Sequence, residues 1–453
     1  MDSPVFASTP AFQIWSAGVD AVRAENLVRT KLCLDSTQNA LSIADKAYSL
    51  ENVERLCVVG AGKAAGYLAK ALEDLLAPVA GRLELFGHVN VPENCVEPTQ
   101  HIQLHAARPA GVNEPRSEGV VGSKRILELV AGLAPNDLCI TLITGGGSAL
   151  LPLPAVGVTL EDKLQVTRVM SGNGASIQEL NQVRIALSAI KGGRLAAACT
   201  ANRLVTIIVS DVLGDPLDLI ASGPTVHPEK GSSRSHAKEV LARYASAEEI
   251  PQDVWQYLEQ TQLGLQTEFE PKSVIEHHVL ANNATAVSAA ADKARELGYV
   301  VETLSPESRT TSAEEVAESI IAHISKSKAN EKRCLVWGGE PIVKLVGSDK
   351  RGRGGRNQQL ALKAATLWSE IPSELRNRTS ILSGGTDGED GPTDAAGALV
   401  SQSVVDQINS RGLDAQDFLV RNDAYSLFEP LQALIKTGPT HTNVCDLRIA
   451  TIN

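Results

Sequence analysis

Four glycine-rich stretches carry the residues most able to do chemistry in this chain, and each follows a short apolar run. They are "VVGAGKAAGYLAK" around Lys63, "ITGGGSALLPLP" around Ser148, "IIVSDVLGDP" around Asp211 and "GGEPIVKLVGSDKRGRGGRNQQ" around Arg356. A cation inside a glycine turn, unencumbered backbone amides and a carboxylate at a strand end together suit an anionic substrate and a proton to be moved. Phosphoryl transfer is one such chemistry, since it needs mainly positioning and charge neutralisation.

In the first stretch Gly60, Gly62 and Gly66 surround Lys63 at a strand-to-helix turn, where helix N-terminal amides accept an anion. A dinucleotide fold is the rival. It requires an acid at the end of the next strand, about 20 residues on; "RLELFGHVNV" has Glu84 near its start and only Gly87, His88 and Asn90 near its end. Phosphate or carboxylate binding by Lys63 fits better, with a solvated helix-start lysine as the bland alternative. In the second stretch Gly145, Gly146 and Gly147 let the amides of Gly146, Gly147 and Ser148 approach an oxyanion. Ser148 is not framed as G-x-S-x-G, so a hydrogen-bond donor suits it better than an elbow nucleophile. Asp211 ends an apolar strand, where a carboxylate can orient a hydroxyl or take its proton. Asp215 is a second carboxylate for a hydroxyl or Mg²⁺, but as the residue before Pro216 it equally suits a turn.

Further along, Glu340 follows a strand and Arg356 and Asn357 open a helix, where a guanidinium and helix amides can converge on phosphate oxygens. Lys350, Arg351 and Arg353 read as supporting or surface charge, with the intervening glycines clearing room for phosphates. "SGGTDGEDGPTDAAGALV" offers Gly385, Asp387, Glu389, Asp390 and Asp394; Gly385, Asp387 and Asp390 join Asp215 and Glu340 as nucleotide or metal candidates. A calcium loop fails there because Gly391 falls on its fifth position. "TGPTHTNVCDLRI" reads as a polar loop before an edge strand. No G-x-x-x-x-G-K-[ST] and no kinase H-R-D or D-F-G occurs.

The elements that position these residues follow from the same pattern. Strand, glycine loop and helix in succession is the βα unit of a parallel sheet, whose ligands sit beyond the carboxyl ends of the strands. Aromatics make up only 4% of the chain, which favours α/β over a sandwich. At 453 residues two cores are expected, since single cores stop growing near roughly 250–300 residues. We expect an N-terminal Rossmann-like domain over 1–270, with helices on both faces of its sheet, including the first helix and a helical connecting region from about 227. A smaller α/β domain follows over 271–453.

The net charge of −11 and the absence of a basic stripe exclude a sequence-independent grip on nucleic acid. No run approaches the ~18 apolar residues of a membrane span. Seven scattered cysteines without C-x-x-C read as reduced core thiols of an intracellular protein. The amphipathic "SAGVDAVRAENLVRTKL" is interrupted by Asp20 and Glu25, which favours cytoplasm over a mitochondrial presequence.

In this order, "GAGKAA", "ITGGGSALL", "GASIQELNQVRIALSAIKGGRLA", "SDVLGDPLDLIASGPT", "GGEPIV", "GRGGRNQQLAL" and "SGGTDGEDGPTDAAGA" resemble the glycerate 2-kinases, whose C-terminal part is the MOFRL domain. The resemblance covers nearly the whole chain. It implies phosphorylation of D-glycerate at its 2-hydroxyl by ATP with a divalent cation, Mg²⁺, its ligands unspecified. It also places the catalytic lysine, acid and arginine on Lys63, Asp211 and Arg356. The partner is then a small molecule, with no nucleic acid or membrane, for a monomer or homodimer. The chain departs from the family's G-H-P-x-P-D pattern at "ARPAGVNEPRSEG", with Asn113 and Glu114 where an acid is usual, and no role is assigned there. An NAD(P)-dependent hydroxypyruvate reductase and a non-catalytic phosphosugar sensor are the alternatives.

Overall fold

A computed structural model describes residues 8–112, 114–227, 234–260, 271–306, 310–328 and 331–453. The chain divides into two compact units, one of 24–280 and one that joins 1–23 to 281–453.

The 24–280 unit is built on a six-stranded sheet, in the order Ile102–Arg108, Glu84–Pro92, Arg55–Ala61, Leu138–Thr144, Arg203–Val209 and Val274–Ala281. The first five run parallel. Every residue of Leu138–Thr144 is buried, as expected of a central parallel strand covered on both faces. Cys57, Val59, Cys139, Ile143, Leu204 and Ile208 from the strands pack with Ile126 and Val130 from the helix Ser117–Ala131. A second cluster joins Met170, Val183, Val240, Leu241 and Val254, so helices Arg234–Tyr244 and Gln252–Glu259 are built into this unit's core. The stretch read as a connecting region is thus packed structure in its described part.

In the other unit the sheet order is Val300–Thr303, Arg333–Gly339, Asp446–Ile452, Thr379–Gly385, Gly397–Ser401 and Leu434–Ile435. Only the first pair is parallel; the other four are antiparallel. The final strand was expected at an edge. It lies instead between Arg333–Gly339 and Thr379–Gly385, bonded on both sides and buried along its whole length. Its alternation "LRIATI", with Arg448 and Thr451 among apolar residues, conceals that position, since it reads as a strand with one solvated face while both polar residues are buried.

The first helix, Pro10–Ala21, starts at an N-cap Thr9 followed by Pro10, whose missing N–H costs nothing there. It buries Ala11, Ile14, Trp15 and Val19. Trp15 Nε1 donates to Gly384 O at 3.3 Å, and a Cβ on Gly18 would stand 2.8 Å from Ala286 O. Residues 8–23, expected in the N-terminal domain, therefore pack with 281–453. Within the boundary region expected near 270, residues 261–270 lie outside the described residues. All seven cysteines are free; six are buried and Cys33 is exposed.

Candidate active site

In the 24–280 unit three neighbouring strands, Arg55–Ala61, Leu138–Thr144 and Arg203–Val209, deliver the sequence's first candidates at their carboxyl ends. Gly146, in the left-handed conformation at φ 77°, gives its amide to Asp211 Oδ2 at 3.2 Å. A Cβ placed on Gly146 would stand 3.6 Å from Lys63 Cγ and 3.8 Å from Arg108 Nη2. Lys63, Gly145, Gly146, Gly147, Ser148 and Asp211 thus share one edge of the sheet. Asp215 holds a left-handed turn at φ 52°, its amide donating to Val212 O, which is the turn role.

The glycines around Lys63 do a different job from the one expected. The amides of Gly62, Lys63 and Ala64 donate to Asn90 O, Gly145 O and Thr144 Oγ1 at 3.2, 2.9 and 3.1 Å. This turn is therefore sewn to the next strand's loop rather than open to an anion. Gly62, at φ 145°, has no room for a side chain, since a Cβ would meet Thr144 Oγ1 at 1.9 Å. Gly60 is a strand residue whose Cβ would collide with Leu142 O. These two glycines fix the place of Lys63.

Two side chains here were missed by the sequence reading. Arg108 ends its strand and is buried beside Gly146. Lys191, also buried, donates from Nζ to Ser148 O at 2.8 Å and Ala221 O at 3.4 Å and contacts Ser148 Oγ at 2.9 Å. Ser148 Oγ in turn meets Ser222 Oγ at 3.1 Å. Burial, reinforced by the charges of Lys163 and Arg184, holds the Lys191 pKa well below the usual lysine value. The sequence did carry a signal: "AIKGGRLA" places a lysine against glycines in an apolar setting, the pattern that drew attention to Lys63.

The other unit assembles its own charged cluster, again at strand ends. Arg356 opens the helix Arg356–Thr366, and its Nε and Nη2 donate to Asp446 Oδ2 and Oδ1 at 2.6 and 2.9 Å. Its Nη1 lies 3.2 Å from Glu340 Oε1. Burial opposes the Arg356 charge, but Asp446 and Glu340 outweigh it and hold the guanidinium firmly protonated. Asn357 Nδ2 also donates to Asp446, at 3.0 Å. Asp446, fully buried, was not among the expected residues; it comes from the strand misread as an edge.

The helix N-terminus expected to receive phosphate is occupied by the protein's own carboxylate. Asp390 accepts from the amides of Asn357 and Gln358 at 3.1 and 2.8 Å. Burial pushes the Asp390 carboxyl up to about 7 against those donors. The glycines of "RGRGG" clear space for carboxylates too: a Cβ on Gly355 would stand 2.3 Å from Asp390 Cγ, and one on Gly352 2.1 Å from Asp423 Cγ. Arg353, expected as surface charge, is exposed, as are Lys350 and Arg351, and lies over the Tyr425 ring at 4.3 Å. Asp387 Oδ1 accepts from Glu389 N at 3.2 Å beside Gly385, in a turn of its own. Asp394 accepts from Tyr425 Oη and pairs with Lys436. Among the described residues no group of three or more His, Cys, Asp or Glu could hold a metal ion.

With this geometry in place, known proteins supply the comparison. Residues 11–259 match a domain of unknown function (DUF4147), and residues 333–446 match the MOFRL family. Glycerate kinase of Homo sapiens is 34% identical over 97% of this chain and 92% of its own length. D-glycerate 2-kinase of Thermotoga maritima is 35% identical over 88% of this chain and 91% of its own. The crystal structure of a Thermotoga maritima glycerate kinase superposes with a TM-score of 0.77, at 32% identity, covering 97% of this chain and 98% of that one. This chain belongs to the glycerate kinase family. In this glycerate kinase family member the departing stretch 107–119 carries Glu114 in surface ion pairs with Arg116 and Arg168, at 3.5 and 3.0 Å. Asn113 lies outside the described residues. No helix among the described residues is long and apolar enough to cross a membrane.

Proposed function

We propose that this chain transfers the γ-phosphoryl group of ATP to the 2-hydroxyl of D-glycerate, giving 2-phospho-D-glycerate and ADP. The observation that carries this reading is the convergence of Lys63 and Asp211 on Gly146 at the carboxyl edge of the parallel sheet. Asp211, oriented by the Gly146 amide, takes up the proton that the 2-hydroxyl loses as its oxygen attacks phosphorus. Lys63 and Arg108 supply positive charge where negative charge accumulates on the transferring group.

Mg²⁺ would arrive on the nucleotide's phosphates. A hard cation carried that way keeps much of its water and needs only one or two protein carboxylates, which accords with a single acid such as Asp211 at the sheet edge. Incubation with D-glycerate, ATP and Mg²⁺, followed by ³¹P NMR of the product, tests the reading. Formation of 2-phosphoglycerate is expected; 3-phosphoglycerate alone, or no phosphorylated product, would overturn it. NADH consumption with hydroxypyruvate would favour a reductase instead.

A further inference from the structure

Ser148 and Lys191 belong to different loops and meet at hydrogen-bond distance. Lys191 is 2% exposed, and its Nζ has three oxygen neighbours: Ser148 O at 2.8 Å, Ala221 O at 3.4 Å and Ser148 Oγ at 2.9 Å. Among the described residues it makes no ion pair, so no carboxylate there offsets the cost of burying an ammonium. A neutral amine, by contrast, suits this surrounding group by group. Its two N–H bonds go to the two carbonyl oxygens, and its lone pair is left facing the Ser148 hydroxyl. Burial acts in the same sense, holding Lys191 well below the usual lysine value.

Ser222 completes the group. It is 1% exposed, and its Oγ lies 3.1 Å from Ser148 Oγ. With the Ser148 hydroxyl donating to Lys191, Ser222 donates to Ser148 Oγ and fixes its direction. The segment that carries Ser222 is held in a conformation that side chains rarely adopt: Ala221 and Ser222 are left-handed at φ 51° and 63°, followed by Gly223 at 55°. Amides of the lysine's own loop hold it there, Gly192 N donating to Ser222 O at 3.0 Å and Gly193 N to Gly223 O at 2.7 Å. Strained backbone that presents a buried hydroxyl to a second hydroxyl and an amine is more than a tie between loops requires. Ser148 itself is half-buried, unlike its two partners.

We infer that Ser148 is a nucleophile with Lys191 as its base and Ser222 as a steadying donor, and that this group hydrolyses esters of small carboxylic acids. The missing G-x-S-x-G frame does not count against it, since a serine paired with lysine needs no elbow between strand and helix. Ser148 Oγ attacks the ester carbonyl carbon while its proton passes to Lys191 Nζ. The ammonium so formed keeps both carbonyl acceptors and gives its new proton to the alkoxide that departs as the ester C–O bond breaks. Water then attacks the acyl–Ser148 ester; Lys191 takes a proton from it and returns one to Ser148 Oγ, and the carboxylic acid leaves. The sequence uses neither nucleotide nor D-glycerate, so it goes beyond the phosphoryl transfer proposed above.

The full chain, with no ATP or D-glycerate added, is mixed with p-nitrophenyl acetate. We expect release of p-nitrophenol and, after quenching and digestion, an acetyl group located on Ser148 by mass spectrometry. Ser148→Ala should lose that adduct and lower ester turnover about 10²- to 10⁴-fold. Lys191→Arg should do nearly the same, because a guanidinium still donates to the two carbonyls but stays charged and cannot accept the proton. Ester turnover at the wild-type rate in Lys191→Arg would leave Lys191 a tie between loops and overturn the proposal. So would acetyl groups found on surface lysines alone, or an unaltered rate in Ser148→Ala. Should Lys191→Arg not fold, Ser222→Ala takes its place: about tenfold slower acylation is expected for the lost hydrogen bond, and an unchanged rate would overturn the proposal. None of these readings depends on whether the chain makes 2-phosphoglycerate.

Discussion

Arg356 and Arg184 are both helical arginines close to glycine-rich loops, yet their surroundings are opposite. Arg356 is gripped by a buried aspartate on two nitrogens and by Glu340 on a third, with Asp390 capping the helix it opens. Arg184 lies within electrostatic reach of Lys163 and Lys191 and, among the described residues, makes no ion pair. A cation whose charge is already cancelled inside the protein chiefly holds structure, because little field is left for a ligand. A buried cation that nothing cancels is held in a costly state, which an anionic ligand relieves. Positive charge in the sequence is therefore a poor guide to ligand binding until its partners are known.

The largest expected effect separates the two arginines by stability. Arg356→Met should cost about 3–5 kcal/mol in urea unfolding, because it leaves the fully buried Asp446 without its ion-pair partner, and Asp446→Ala should cost less, since Arg356 is partly exposed and keeps Glu340. The double variant Arg356→Met/Asp446→Leu should lose less than the sum. Arg184→Met, by contrast, should unfold at the same or a higher urea concentration than the wild type, since it removes a charge without an ion pair. If Arg356→Met unfolds normally and loses only turnover, the contrast fails and Arg356 acts chiefly on phosphates.

Next in size, Lys63→Ala should lower kcat about 10²- to 10³-fold with unfolding unchanged, since its turn is fixed by backbone amides and not by its side chain. Wild-type turnover in that variant would remove Lys63 from the chemistry.

The pH dependence of stability sharpens the acid-free side. Lys163 sits at about 7 when folded, below the usual lysine value, so the unfolded chain binds more protons between the two. Its contribution is complete above the unfolded pKa and is lost as pH falls toward 7. The wild type should thus gain up to about 1.4 kcal/mol per pH unit across that window relative to Lys163→Met. Parallel stability profiles for the two would contradict this. The smallest effect concerns Arg353, exposed and lying over the Tyr425 ring: Arg353→Ala should cost about 0.5–1 kcal/mol, measurable by unfolding, with little change in turnover.

Much of the first unit's site was legible because it is local. A parallel strand ends, its loop must expose backbone, and Lys63, Ser148 and Asp211 stand at those ends within a few residues of apolar runs. The same local logic misjudged the neighbouring glycines, whose tolerance of close approach serves Thr144 and Leu142 rather than a phosphate. It also missed Lys191, because the hydrogen bonds joining it to Ser148 span 43 residues. In the other unit the failure is more complete. Arg356 and Asp446 are separated by 90 positions and meet only because the last strand inserts between two earlier ones.

The order of strands, glycine loops and helices, the α/β class and the three strand-end residues were settled by the sequence alone, since period and turn chemistry act over a few neighbours. Which cations are already neutralised was settled only in three dimensions. Sheet order brings Asp446 and Asp390 to Arg356, whereas no described residue forms an ion pair with Arg184, and Coulomb energy depends on distance in space, not along the chain.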